Sequence, residues 1–170
     1  ILDFERSMYL DERAKLEDEI IQIPNLKIIA SDISEKAINI ARINAEAAGV
    51  DHLIDFEVCD FEDTSIPEGD GVVMFNPEYG ERLGDETELQ STYARIGDFL
   101  KQRCKGKNGY VFTGNLELAK AIRLKPSRRI EFFNATIDCR LLEYELYDGS
   151  KRKDLIAQAE VSGDARGIEK

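Results

Sequence analysis

The chain predicts an α/β fold built on a mostly parallel, doubly wound sheet that closes with an antiparallel strand pair. Three observations carry this. Short apolar runs of strand length alternate with amphipathic stretches of helical period along most of the 170 residues. Three successive apolar runs end in a polar residue (Asp32, Asp60 and Asn76), and in a parallel sheet ligands sit at those carboxyl ends. The last two apolar runs alternate in strand fashion around Asn134-Ala135, which reads as a hairpin turn.

The elements follow in order. Asp11 to Ile21 is a charged helical pattern stopped by Pro24. Leu26 to Ser31 is a short apolar strand ending in Asp32. Ser34 is a good N-cap for a helix from Glu35 to Ala48, with Ala37, Ile40, Ala41 and Ala45 at helical spacing, and Gly49 closes it. Leu53 to Cys59 is a second strand, followed by Asp60 and Phe61. A turn at Pro67 to Asp70 leads to a third strand, Gly71 to Phe75. Asp85 to Arg103 is a helix with Leu89, Tyr93, Ile96 and Leu100 along one face. Gly106 to Asn108 turns the chain into a fourth strand, Gly109 to Thr113. Leu116 to Leu124 is a short helix, and Arg129 to Phe133 and Thr136 to Tyr147 form the closing pair. Residues 1–25 thus read as a charged helical lead-in and 26–149 as one α/β domain. The polar stretch 150–170 lacks periodicity and is a candidate for disorder.

Composition narrows the function. There are 34 acidic and 23 basic residues, a formal charge of -11. That balance is wrong for a domain gripping nucleic acid alone, because phosphate contacts need clustered Lys and Arg. The basic stretches are short (Lys101 to Lys107, Lys125 to Arg129, Lys151 to Lys153) and each reads first as a solvated loop or helix face. No apolar run reaches the roughly 18 residues that span a membrane, and the N-terminus has no signal-peptide pattern. Cys59, Cys104 and Cys139 form no CxxC pair, so a reducing cytoplasm is expected and a disulfide framework or zinc site is not. With His52 as the single histidine, no His-based triad or multi-histidine metal site can be built; its expected place is the turn before Leu53.

The most specific motif is Asn76-Pro77-Glu78-Tyr79-Gly80, set directly after the apolar strand. An Asn side-chain oxygen and the Pro77 carbonyl can both accept hydrogen bonds from a planar exocyclic amine. Tyr79 can stack on the base that carries the amine. Asp32 has two readings, a carboxylate accepting from a ribose diol or a polar strand-end residue that starts a helix. Asp60 likewise is either an acceptor for an adenine amine, with Phe61 against the ring, or a turn aspartate beside a core phenylalanine. Arg82 could contact phosphate or pair locally with Glu81 or Asp85, the latter being preferred. A nucleotide-like cofactor in such a sheet needs a Gly-rich turn after the first strand. No such cluster occurs, and no strand pattern precedes Leu26, so the expectation is that the chain begins after that unit.

Three segments together carry a family resemblance: SDISEKAINIARINAEAAGVDHLIDFEVCDFED, FNPEYGERLGDETELQSTYARIGDFLKQ and FFNATIDCRLLEYEL. They closely resemble the catalytic domain of THUMP-containing 23S ribosomal RNA guanine-N2 methyltransferases, over roughly Leu26 to Tyr147. The resemblance implies a Rossmann-like class I methyltransferase fold, S-adenosylmethionine as cofactor and the exocyclic amine of a guanine in ribosomal RNA as substrate. It implies that most RNA affinity comes from a THUMP domain with no counterpart here. Asp32 matches the ribose-binding acid and Asp60, beside Phe61, the adenine-binding acid. Asn76, Pro77 and Tyr79 match three of the four positions of the amine-binding motif. Glu78 stands where the family has a second proline; it frees φ, adds an N–H donor and brings a carboxylate, so weakened activity is expected. The alternatives are a DNA adenine or protein amide methyltransferase, since the same motif orients several planar amines, and a catalytically inactive methyltransferase-like scaffold.

Overall fold

The structure is a computed structural model that describes residues 4–21, 23–79 and 86–147. The readings made above for Gly80, Arg82 and residues 150–170 fall outside these. The chain divides into two compact units, Ile1–Ser65 and Ile66–Lys170.

In the first unit, α1 runs over Arg6–Asp18 and buries no residue. The sequence places this helix five residues later, from Asp11. The real start is set by Glu5 and the Tyr9 N–H to Glu5 carbonyl bond, and local pairs (Arg13–Glu17 at 2.7 Å, Lys15–Glu12 at 2.5 Å) support the exposed surface. β1 (Ile28–Asp32) and β2 (Ile54–Val58) pair parallel, with Asp32 opposite Val58. They are joined by α2 (Glu35–Ala48), whose Ser34 cap accepts from the Ala37 N–H and whose C-cap Gly49 takes φ 72. The left-handed angle is why the helix stops at a glycine. The buried stripe of α2 is Ile38 and Ala45; Ile40, expected on that stripe, is 50% exposed. Arg42 lies over the Phe56 ring, 4.8 Å from its centroid, so α2 covers β2 partly with a cation. His52 sits in a 3-10 turn before Leu53, as its sequence context suggests. The Ser65 N–H donates to the Glu57 carboxylate at 3.0 Å, which holds that group below the usual carboxylate range.

The second unit has a four-stranded sheet in the order β3-β4-β6-β5. β3 is Val72–Phe75, β4 is Asn108–Thr113, β5 is Arg128–Asn134 and β6 is Ile137–Glu145. β3 and β4 are parallel, whereas β6 runs antiparallel between β4 and β5. The hairpin turn falls at Ala135-Thr136, with Asn134 opposite Ile137 and Ala135 at φ 54. α3 (Glu86–Arg103) packs one face on this sheet. Its Tyr93, Ile96, Phe99 and Leu100 are buried together with Val111 of β4 and Leu142 and Tyr144 of β6. Three of the four residues of the predicted α3 stripe are thus buried, whereas Leu89 is half-buried and Phe99 joins the face. The short helix α4 (Leu116–Ala119) passes into a 3-10 turn at Lys120–Ile122. α3 meets that turn at Gly97, where an added Cβ would lie 2.0 Å from the Ile122 carbonyl oxygen, so only glycine fits.

Several polar groups in this core are paired. Tyr93 and Thr113 share a hydroxyl hydrogen bond of 2.7 Å, and Thr113 also accepts from the Asn115 N–H at 3.0 Å. Lys107, grouped by sequence with a solvated basic stretch, is instead 7% exposed, and its Nζ donates to the Gly69 carbonyl. It ties the turn before β3 to the start of β4. Charge count alone does not show such a lysine, because its long stem can lie in the core while its head finds a carbonyl.

Burial pushes the Cys104 thiol up to about 11 and the Tyr144 hydroxyl up to about 12. Both groups ionise earlier in the unfolded chain, from ordinary values of 9.0 and 10.0. Their contribution is fully present below the lower value and is lost as the pH rises through the folded ones. Urea midpoints are therefore expected to hold up to about pH 9 and then to fall, with Cys104→Ala removing the first part of the fall. A midpoint that stays flat through that range would show that neither group is buried as described.

Candidate functional site

Two groups of predicted site residues can be located, one in each unit. In the first unit, Asp32 is the last residue of β1, and Asp60 follows β2 by two positions, so both lie at the carboxyl end of the parallel pair. The Asp32 side chain is exposed, and its Oδ1 accepts from the Ser34 N–H at 2.7 Å. That bond fixes the carboxylate at the strand end and leaves Oδ2 pointing to no other described partner. Asp60 caps the following 3-10 turn, its Oδ1 accepting from the Glu62 N–H at 3.0 Å, and Phe61 is half-buried beside it. Both aspartates thus do the local task of the simpler reading.

In the second unit, β3 delivers Asn76 to the carboxyl end of the sheet. The strand is held there by parallel pairing of Phe75 with Val111 and by the edge-on contact of Phe75 with Phe99, 5.9 Å between centroids. The Asn76 side chain is exposed and makes no hydrogen bond among the described residues; Pro77 is half-buried and Glu78 exposed. Tyr79 is held on several sides. Its ring meets Phe112 edge-on at 6.2 Å, and Phe112 in turn meets Phe132 at 5.9 Å. The Tyr79 hydroxyl accepts from the Asn134 side-chain amide at 3.1 Å and from the Cys139 thiol at 3.8 Å. The ring also lies over Gly114, where an added Cβ would come within 2.8 Å of two ring carbons.

Sequence reasoning does not single out Gly114, Asn134, Phe112 or Cys139 as parts of this site. Asn115 caps α4, and Asn134, read from sequence as part of the hairpin turn, ends β5 just before it. Seating Tyr79 depends on a contact across 55 residues for Asn134, which no local pattern encodes. Among the described residues there is no cluster of three His, Cys, Asp or Glu that could hold a metal ion, and no helix is long and apolar enough to cross a membrane. A shallow recess of about 690 Å³ between α3 and α4 is lined by Gln90, Ser91, Glu117 and Arg123.

Comparison with known proteins decides the family. Residues 3–143 match the model of the RMKL-like methyltransferase domain. The chain belongs to the RMKL-like methyltransferase domain family. A curated member of similar sequence is the ribosomal RNA large subunit methyltransferase K/L of Syntrophotalea carbinolica, 39% identical over 80% of this chain. The chain spans 19% of that protein's length. Among solved structures, SMU.472, crystallised in complex with SAH, aligns over 86% of this chain and 39% of its own at TM-score 0.73 and 19% identity. A predicted N6-adenine-specific DNA methylase from Listeria monocytogenes aligns over 84% of this chain and 36% of its own at TM-score 0.67 and 29% identity. The RMKL-like chain therefore has the Rossmann-like class I methyltransferase fold that the family resemblance implies, with β6 as the antiparallel strand near the sheet edge.

In this RMKL-like domain the fit around Tyr79 can be measured directly. Gly114→Ala is expected to displace the ring and cost about 1–3 kcal/mol, the usual range for overpacking. In a Tyr79→Ala background the same substitution should cost much less, so a double-mutant cycle by urea unfolding should give a clear coupling energy. Additive effects would mean that the two residues do not touch.

Proposed function

We propose that the chain is the catalytic part, residues 26–149, of an S-adenosylmethionine-dependent methyltransferase that modifies the exocyclic amino group of a guanine in large-subunit ribosomal RNA. The observation that carries this reading is the exposed Asn76 amide at the end of β3, without a hydrogen bond among the described residues, followed by Pro77 and a seated Tyr79. Family membership and the name of the Syntrophotalea relative support it.

Each residue has a role in this reading. Asp32 would accept from the ribose diol of the cofactor through its second oxygen, and Asp60 from the adenine amine, with Phe61 against the ring. The donor set suits that group, since an exposed carboxylate ending a strand is an acceptor for neighbouring hydroxyls. S-adenosylmethionine supplies an electrophilic methyl on a sulfonium. Asn76 Oδ1 and the Pro77 carbonyl would accept the two amine N–H groups and turn the nitrogen lone pair toward the reacting centre. Such positioning contributes through near-attack geometry, so no side chain with a specially tuned pKa is needed. Tyr79 would stack on a base drawn out of its helix, and its fixed hydroxyl spares it the cost of ordering on binding.

The net charge of -11 fits a catalytic part that borrows most of its RNA affinity from another domain. Three free cysteines fit a reducing cytoplasm. A second reading, transfer to a DNA adenine, is favoured by the name of the Listeria neighbour and differs only in the base presented to Asn76.

The test is the split between binding and turnover in the full natural protein. Asn76→Ala should lower methyl transfer by roughly a hundred-fold or more while leaving cofactor affinity nearly unchanged, because its hydrogen bonds matter most at the reacting geometry. Asp32→Asn should do the reverse, weakening cofactor binding first. Glu78→Pro should raise turnover; a Glu78→Pro protein no faster than its parent counts against the explanation given for that residue. An Asn76→Ala enzyme of normal turnover removes the proposal altogether.

A further inference from the structure

The Tyr79 hydroxyl sits between two donors. The Asn134 Nδ2 donates to it at 3.1 Å, and the Cys139 thiol donates to it at 3.8 Å. A phenol oxygen that accepts twice has its lone pairs occupied. What remains is its own O–H proton, which has no acceptor among the described residues. The Asn134 side chain is exposed at the end of β5 and makes only this one bond among the described residues, so the second N–H of its amide is unspent as well. Two donor atoms therefore lie 3.1 Å apart, each with one proton to give.

The ring fixes where those protons can go. Phe112 meets it edge-on and Gly114 lies close against it, so the ring is held in place. A base stacked on its open face lies parallel to it, about 3.5 Å above. The phenolic O–H prefers the plane of its own ring, because the oxygen lone pair conjugates with the ring. Its proton therefore points past the edge of a stacked base rather than into it. What lies past that edge in a nucleotide is sugar and phosphate. Two adjacent donors suit a phosphate, whose paired oxygens only accept and carry negative charge. On a bare surface water would take both protons. Here Tyr79 stands three residues after Asn76, at the carboxyl end of β3, and that placement gives the pair a substrate. Neutral donors also suit a chain of net charge -11 whose exposed Glu78 adjoins the site.

We propose that the Tyr79 hydroxyl and the Asn134 amide form a phosphate-contact pair, which holds a phosphate flanking the target nucleotide while the Tyr79 ring holds its base. This deepens the functional reading above and rests on it for the position of the base. The 2′-hydroxyl of the same nucleotide is uncharged and makes the weaker acceptor. The ring and its hydroxyl then have separate tasks, and Tyr79→Phe leaves only the first.

The experiment is a cycle between protein and RNA, read as Kd by fluorescence anisotropy with the full natural protein. The probe is a short labelled RNA with one guanosine in a run of uridines, carrying either a phosphate or an uncharged methylphosphonate on each side of that guanosine in turn. On the natural backbone Tyr79→Phe should weaken binding roughly ten-fold, the scale of a hydrogen bond to a charged group, and Asn134→Ala should weaken it too. With a methylphosphonate at the contacted position the parent should lose the same factor and Tyr79→Phe almost nothing further, the coupling expected of a direct contact. Tyr110→Phe, whose lost hydroxyl donates to Glu143 at 3.1 Å, should behave as the parent does. The pair is overturned by a parent that does not bind the RNA, by a Tyr79→Phe protein that binds as tightly as its parent, by additive losses at both positions, by equal coupling in Tyr110→Phe, or by coupling to a 2′-deoxy substitution instead. Methyl incorporation into the same RNA is scored on the same preparations. Incorporation with additive losses removes the pair and leaves the methyltransferase reading. Coupling without incorporation keeps the pair and removes that reading.

Discussion

The arrangement of the second unit depends on β4. This strand is paired along both edges, parallel to β3 and antiparallel to β6, and its Val111 and Thr113 are fully buried under α3. Because Phe75 is in register with Val111, the position of β4 decides where β3 stops and hence where Asn76 begins. Because Gly114 follows β4 directly, the same strand supplies the floor under Tyr79. The Tyr93–Thr113 bond locks the end of β4 to α3 inside the core, so a shift of the floor would cost the buried Tyr93 hydroxyl this partner. A site assembled on the end of a doubly paired strand is stiffer than one on a loop, which suits chemistry that relies on positioning.

The two aspartates of the first unit illustrate a general economy. A carboxylate at the end of a parallel strand can start the next turn with one oxygen and meet a ligand with the other. The local hydrogen bonds of Asp32 and Asp60 (2.7 and 3.0 Å) therefore do not weigh against their proposed roles. They orient the carboxylate before any ligand arrives, which reduces the ordering cost on binding.

Much of this was legible in the sequence because the signals were local. Ser34 and Gly49 bracket α2 by cap chemistry alone, and both bounds agree with the structure. The Tyr93, Ile96 and Leu100 stripe is a helical period that needs no knowledge of its partner. Sequence reading failed where local signals were weak or the answer was tertiary. α1 is polar throughout and buries nothing, so no stripe marks its start. In α2 both Ile38 and Ile40 are apolar, and only the placement of the sheet selects Ile38. Lys107 reads as a surface charge until its carbonyl partner is seen. The seat of Tyr79 is the clearest case: Asn76, Pro77 and Tyr79 are consecutive enough to form a motif, whereas Gly114, Asn134 and Cys139 reach the same ring from distant strands.

The central claim is that Asn76, Pro77 and Tyr79 present the exocyclic amine of a guanine in RNA for methylation. The most direct measurement is mass spectrometry of nucleosides from ribosomal RNA treated with the full natural protein and isotope-labelled S-adenosylmethionine. The account predicts label in N2-methylguanosine, lost when Asn76 is replaced by Ala. Label in a methyladenosine, or on protein with none in RNA, would contradict it.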